Sequence, residues 1–190
     1  MRKIILSMSI SLDGFVSGPN GELDWVVFDK ELDNEVLPES TSRADTVILG
    51  RSLYQGFSGY WPTAPETNPN LSEGEIGFSH WVQNARKIVF STTMEKVDWN
   101  NSRLVKENFA AETAKLKQQP GKDILTFGGV GTASSLIRWG LVDEYNLVIN
   151  PVILGSGRPL FSGMEEQIKL KLIKSRPYKS GIVLLTYQSV

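Results

Sequence analysis

At 190 residues the chain is long enough to bury one core and short for two comfortable domains, so one domain over residues 1–190 is expected. Lys and Arg total 20 against 21 Asp and Glu, a net charge of -1, which argues against nucleic acid or an acidic membrane as partner and for small molecules. The absence of Cys excludes disulfides and thiolate metal sites, and the single His80 leaves no histidine cluster for a metal; chemistry must come from a bound cofactor, carboxylates, hydroxyls or backbone.

Residues 3–10 alternate as a strand, too short and too rich in serine for a signal peptide or membrane anchor. With no other long apolar run, a cytoplasmic location is expected. The strand runs into Ser11-Leu12-Asp13-Gly14-Phe15, then Gly21-Glu22-Leu23-Asp24-Trp25, a glycine-punctuated cover with an aromatic wall. Asp13 either faces a substrate or closes an Asx-type turn. A helix is predicted over 30–38, with Asp29 placed as a helix cap or as a carboxylate facing substrate.

A strand at 46–49 ends in Gly50-Arg51-Ser52-Leu53-Tyr54, a glycine followed by a short helix with a cation in its first turn. An Arg there opposes the helix dipole unless an anion sits before it. Residues 61–72, with Pro62, Pro65 and Pro69, read as a loop, and 73–83 as a helix. A strand at 87–90 ends in Ser91-Thr92-Thr93, hydroxyls that suit a phosphate, a ribose or an ordinary turn. A helix at 109–118 follows.

The strand at 124–127 runs directly into Gly128-Gly129-Val130-Gly131-Thr132 and a helix over 132–139. Glycines admit an anion close to the backbone, and a helix N-terminus supplies free N–H groups. The stretch nearly matches a dinucleotide fingerprint, but the next strand, 145–149, ends in Asn150-Pro151 rather than an acidic residue, so it is not a Rossmann turn. A ligand-free Gly-rich loop is the alternative. Strands at 169–174 and 182–187 follow without helices between them, giving an α/β pattern with a mixed sheet, mostly parallel, and an antiparallel C-terminal edge. If parallel, the strands ending at Leu49, Phe90 and Phe127 deliver their loops to one carboxyl edge, where open α/β sheets bind ligands.

In order and spacing, four stretches resemble the dihydrofolate reductase fold, and more closely the reductase domain of the bifunctional riboflavin-biosynthesis enzyme. They are Ser11-Leu12-Asp13-Gly14, then Val47-Ile48-Leu49-Gly50-Arg51-Ser52 with Tyr54, then Lys87-Ile88-Val89-Phe90-Ser91-Thr92. The last is Phe127-Gly128-Gly129 with Leu141-Val142-Asp143-Glu144 and Pro151-Val152-Ile153-Leu154-Gly155-Ser156-Gly157-Arg158-Pro159-Leu160-Phe161. The resemblance implies a three-layer α/β/α domain and an NADPH-dependent reductase acting on a small heterocycle, of the riboflavin-pathway or dihydrofolate reductase type.

It further implies that Gly50, Arg51 and Ser52 meet phosphates, Ser91 and Thr92 the 2′-phosphate side, and Gly128, Gly129, Val130, Gly131 and Thr132 the pyrophosphate. Asp13 and Asp29 become the candidate catalytic carboxylates, and Phe15, Trp25, Phe28 and Tyr54 the candidate walls around the substrate. Asp143-Glu144 reads as a turn and strand start, and Phe161 as core. A homodimer is expected from the relatives. The alternative is a non-catalytic nucleotide-binding or interaction protein that keeps the same phosphate loops.

Overall fold

The computed structural model describes residues 1–190. The elements run β1 (Ile4–Ser11), β2 (Phe15–Ser17), α1 (Lys30–Arg43), β3 (Ala44–Gly50), α2 (Arg51–Tyr60), α3 (Ala64–Thr67), α4 (Glu73–Asn84) and β4 (Arg86–Phe90). They continue as β5 (Ser102–Val105), α5 (Phe109–Gln118), β6 (Asp123–Phe127), α6 (Val130–Arg138), β7 (Glu144–Asn150), β8 (Arg158–Pro159), β9 (Leu170–Pro177) and β10 (Val183–Ser189). This is a three-layer α/β fold with a large mixed sheet, mostly parallel, whose C-terminal edge is antiparallel. The chain forms two compact units, Met1–Arg2 with Asp29–Leu125, and Lys3–Phe28 with Thr126–Val190.

In the first unit β3 pairs parallel with β4, and β4 with β5. Val47, Ile48 and Leu49 of β3 and Ile88 and Val89 of β4 are fully buried, as a continuous apolar strand covered on both faces should be. Ser72 and Glu75 close a capping box at the start of α4. Phe78 of α4 meets Trp61 at 4.8 Å and Phe57 at 6.0 Å between ring centroids, both edge-on. At Gly74 a Cβ would stand 2.3 Å from the Asp33 carbonyl oxygen, so this glycine sets how closely α4 approaches α1.

Helix α1 continues through Pro38, where the sequence predicts its end. Pro38 and Asn34 both face solvent, so water can satisfy the Asn34 carbonyl that loses its helical partner. Val36 and Ser40 are buried on either side of the proline and hold the helix in place. Tertiary packing also creates elements with no local signal: the four-residue α3 within the predicted 61–72 loop, and the strand β5.

In the second unit β1 pairs parallel with β7, β7 antiparallel with β10, and β10 antiparallel with β9. Ile4, Ile5 and Leu6 are fully buried. Strand β9 leaves Leu172 and Ile173 about half exposed. The Asp143 carboxylate accepts from the Ile4 amide at 2.7 Å, so the Asp143-Glu144 pair does set a strand start, as expected. A small antiparallel ribbon, β2 with β8, was not predicted; both strands are too short to carry an alternating pattern. It depends on Gly157, where φ is +148° and a Cβ would lie 2.1 Å from the Ser17 carbonyl oxygen. Phe161, expected in the core, is 44% exposed, and it is Leu160 that is buried completely.

Candidate functional site

In the first unit, the register that sets Gly50 opposite Phe90 brings the two strand-end loops side by side. The exposed Arg51 guanidinium donates to Thr93 Oγ1 at 3.1 Å. Helix α2 begins at Arg51 with no side-chain cap on its N-terminus and no acidic residue in its first turn. Backbone N–H groups, a guanidinium and hydroxyls thus stand together with no carboxylate to neutralise them, an arrangement suited to a phosphate. Ser52, in the first turn of α2, and Thr92, in the loop after β4, are exposed as well.

Ser91 takes a different part from the one expected. It is buried, and its Oγ accepts from the amides of Met94 at 3.0 Å and Thr93 at 3.3 Å, so it builds the turn that presents Thr93. Thr93 is the residue that sequence reasoning missed. Its signal was the hydroxyl run itself, but which hydroxyl faces Arg51 depends on strand pairing.

In the second unit, α6 starts behind Gly129, which adopts the left-handed conformation at φ 72° and offers no side-chain cap. No acidic residue occupies its first turn. A Cβ at Gly131 would meet nothing within 4 Å, so no protein neighbour demands glycine there and the space before the helix stays open. Of the helices longer than one turn, α1 and α4 have side-chain N-caps and α5 carries Glu112 in its first turn, while α2 and α6 have neither device. These are the two helices that the sequence marked for phosphate. Each start, within its own unit, presents backbone donors suited to a phosphate.

The Asp13 loop is also in the second unit. Its carboxylate accepts from Ser11 Oγ at 2.6 Å, the Gly155 amide at 2.8 Å and the Leu154 amide at 3.1 Å. The Ser11 hydrogen bond, with help from the two amides, holds the Asp13 pKa below the ordinary carboxylate value. Asp13 is therefore a charged clamp joining the end of β1 to the loop before β8, and is unsuited to donate a proton. Phe15 lies half-buried in the ribbon opposite Pro159, and Trp25 is half-buried with its indole N–H on the Glu22 carbonyl at 3.1 Å. Asn150, read in the sequence only as a strand end, is fully buried. Its Oδ1 accepts from the Val27 amide at 2.8 Å and its Nδ2 reaches the carbonyls of Val148 and Ile10, which fixes the segment after Trp25.

Two of the expected substrate walls are revised, and Asp29 takes the cap rather than the substrate-facing one of its two expected readings. Asp29 is the N-cap of α1, accepting from the amides of Glu31 at 2.8 Å and Leu32 at 3.1 Å, so its carboxylate is committed to the helix. Tyr54 is buried, and its hydroxyl accepts from the amides of Trp99 at 2.9 Å and Asp98 at 3.0 Å; it anchors a loop rather than lining a pocket. Phe28 is 86% exposed and forms no wall.

The fold is that of the dihydrofolate reductase-like α/β proteins. A solved structure described as a putative riboflavin biosynthesis protein from Shewanella sp. PV-4 superimposes with a TM-score of 0.73 over 100% of this chain and 99% of its own, at 24% identity. Dihydrofolate reductase from Enterococcus faecalis, complexed with NADP(H), gives 0.62 over 98% of this chain and 96% of its own, at 13% identity. Within that class, the family described as RibD C-terminal domain matches residues 2–184, and the chain belongs to it. The chain is also 36% identical over 190 residues, 98% of its length and 94% of the relative's, to the uncharacterized protein YyaP of Bacillus subtilis (strain 168). No helix is long and apolar enough to cross a membrane.

Proposed function

We propose that this protein is an NADPH-dependent reductase that delivers hydride to a small heterocycle, of the pyrimidine-reductase type found in riboflavin biosynthesis. The observation that carries the reading is the pair of undefended helix starts. Helices α2 and α6 follow glycine at strand ends and lack both a side-chain cap and an acidic first turn, and Arg51 adds a fixed cation to the first of them. Family membership and a dihydrofolate reductase relative described with NADP(H) support it.

In this reading Gly50, Arg51, Ser52, Thr92 and Thr93 hold phosphate, with Ser91 shaping their turn, and Gly128, Gly129, Val130, Gly131 and Thr132 offer backbone donors to phosphate in their own unit. NADPH, when bound, supplies the hydride. The chain's part is to bind and orient, which asks for no His or Cys. Asp13 contributes as a fixed charged acceptor that shapes the loop beside Phe15, and the proton comes from another source.

The test is a titration with NADPH and with NADH, followed by energy transfer from the five tryptophans to the reduced nicotinamide. Micromolar NADPH binding with at least tenfold weaker NADH, a gap of about 1.4 kcal/mol, is the expected result. Binding without cofactor oxidation by any of a panel of pyrimidines and pterins would favour a nucleotide-binding protein without catalysis. Failure to bind either dinucleotide would overturn the reading.

A further inference from the structure

The fingerprint-like stretch before α6 ends in Ser134, at the place where a dinucleotide turn carries glycine or alanine and has no hydroxyl to give. The first closed turn of α6 is made by the amides of Thr132 and Ala133, which donate to the Gly129 carbonyl at 3.0 and 3.2 Å. Ser134 follows directly, about 6 Å along the helix from Val130.

A serine inside a helix ordinarily returns its proton to a carbonyl of the preceding turn. Ser134 instead donates its buried hydroxyl, at 2.8 Å, to the carbonyl of Leu160, 26 residues further along the chain. Leu160 is fully buried and its other backbone group is engaged as well, the amide donating to the Gly14 carbonyl at 3.0 Å. Gly14 lies between two fixed points. Asp13 before it is clamped to the amides of Leu154 and Gly155, and Phe15 after it donates its amide to Ser11 Oγ at 2.9 Å and stands opposite Pro159 in the β2–β8 ribbon.

Two hydrogen bonds therefore lead from the helix whose start is open to phosphate to the loop that carries Phe15, and every link lies within the second unit. The Ser134 bond is buried, so loss of the hydroxyl would leave the Leu160 carbonyl without that donor. Helix ends open locally at low cost, and a ligand that closes the first turn of α6 steadies what is tied just behind it.

We infer that Ser134 is a positioning residue: it fixes the Leu160–Gly14 segment to α6, so that a dinucleotide phosphate seated on the start of that helix also holds Phe15 in place as a wall of the substrate site. This role rests on the NADPH reading, and Ser134 acts through Leu160 rather than on the reacting atoms.

The experiment is amide deuterium exchange, resolved by NMR, on the full chain with and without saturating NADPH, saturation being read from tryptophan energy transfer. In the parent, NADPH should slow exchange about fivefold at the amides of Leu160 and Phe15 as well as in the first turn of α6. Ser134→Ala should keep the effect in α6 and reduce it below about twofold at Leu160 and Phe15. Ile137→Val trims the buried face of the same helix but keeps the hydroxyl, and should retain the full effect, which separates general loosening of α6 from loss of the tie. Protection at Leu160 and Phe15 that survives Ser134→Ala, or that is lost equally in Ile137→Val, overturns the role of Ser134. If Ser134→Ala does not fold, the parent decides: protection that reaches Leu160 and Phe15 supports the role, and protection confined to α6 overturns it. Absence of NADPH binding by the parent overturns the reductase reading and this role with it, whereas binding with protection confined to α6 overturns this role alone.

Discussion

Lys87 and Arg51 are cations at opposite ends of adjacent parallel strands, and they stand in opposite states. Lys87 is fully buried at the start of β4, its Nζ donating to the carbonyls of Ala85 at 3.0 Å, Asn100 at 3.1 Å and Gln83 at 3.2 Å. The ammonium also lies 4.3 Å from the centre of the Trp99 ring. Arg51 is exposed after the end of β3 and spends one donor on Thr93. A lysine has three protons to give, and Lys87 has given all three, so it is structural. Arg51 keeps most of its fork for something outside the protein.

The sharpest way to break this comparison is at Lys87. Lys87→Met leaves three carbonyls without their donor and should cost about 3 kcal/mol or more, read from urea unfolding. A loss below about 1 kcal/mol would mean that water replaces the ammonium and the site is less closed than its burial implies. Burial pushes the Lys87 pKa down to about 8. The unfolded chain therefore holds the proton more tightly between about pH 8 and 10.5, and the part of stability that depends on this group rises with pH across that window.

Arg51→Ala is the reciprocal change. It should leave unfolding within about 0.5 kcal/mol of the parent, because the side chain is exposed. NADPH affinity should fall at least tenfold, about 1.4 kcal/mol, with NADH much less affected. Equal loss for both dinucleotides would remove the 2′-phosphate from Arg51, and a large loss of stability would make it a structural cation like Lys87.

Two carboxylates extend the contrast to the opposite charge. Burial first, then Glu75 and Asp29, raise the Asp33 pKa from 3.8 to about 6. The folded chain holds this proton more tightly than the unfolded chain, so the stabilisation belongs to low pH and is lost as pH rises through about 6. Asp33→Asn should therefore stabilise the protein at neutral pH by about 1 kcal/mol, a figure discounted for partial solvent access, and the gain should vanish near pH 4. A pH-independent difference would place the effect in packing against α4. Asp13 is the satisfied counterpart, and Asp13→Ala should act locally: the amides of Leu154 and Gly155 should exchange faster with deuterium while protection in β3 and β4 is unchanged. Unaltered exchange at both amides would show that the loop does not depend on the clamp.

How much was legible in advance varies with the range of the cause. Helix α5 occupies the residues predicted for it, 109–118, because propensity and charge pattern are local properties of ten consecutive residues. The glycine turns before α2 and α6 were legible for the same reason. The start of α1 at Lys30 was legible too, but its carboxyl end was not, since Pro38 is a breaker by local rules and only the buried Val36 and Ser40 on either side show why the helix continues. Tyr54 looked like a site residue because a lone aromatic near a motif has no visible partner in a one-dimensional reading, whereas the cap role of Asp29, a local property, was legible beside its substrate-facing reading.

The sequence by itself determined where chain direction changes, which segments bury continuous apolar runs, and which two helices begin on undefended glycine. Those follow from backbone freedom and periodicity within a few residues. Tertiary structure alone decided the partners: Thr93 for Arg51 across 42 residues, the Trp99 amide for Tyr54 across 45, and the Val27 amide for Asn150 across 123. Each depends on which strands and loops become neighbours and in what register. That choice belongs to the packed core as a whole, and no short window of sequence contains it.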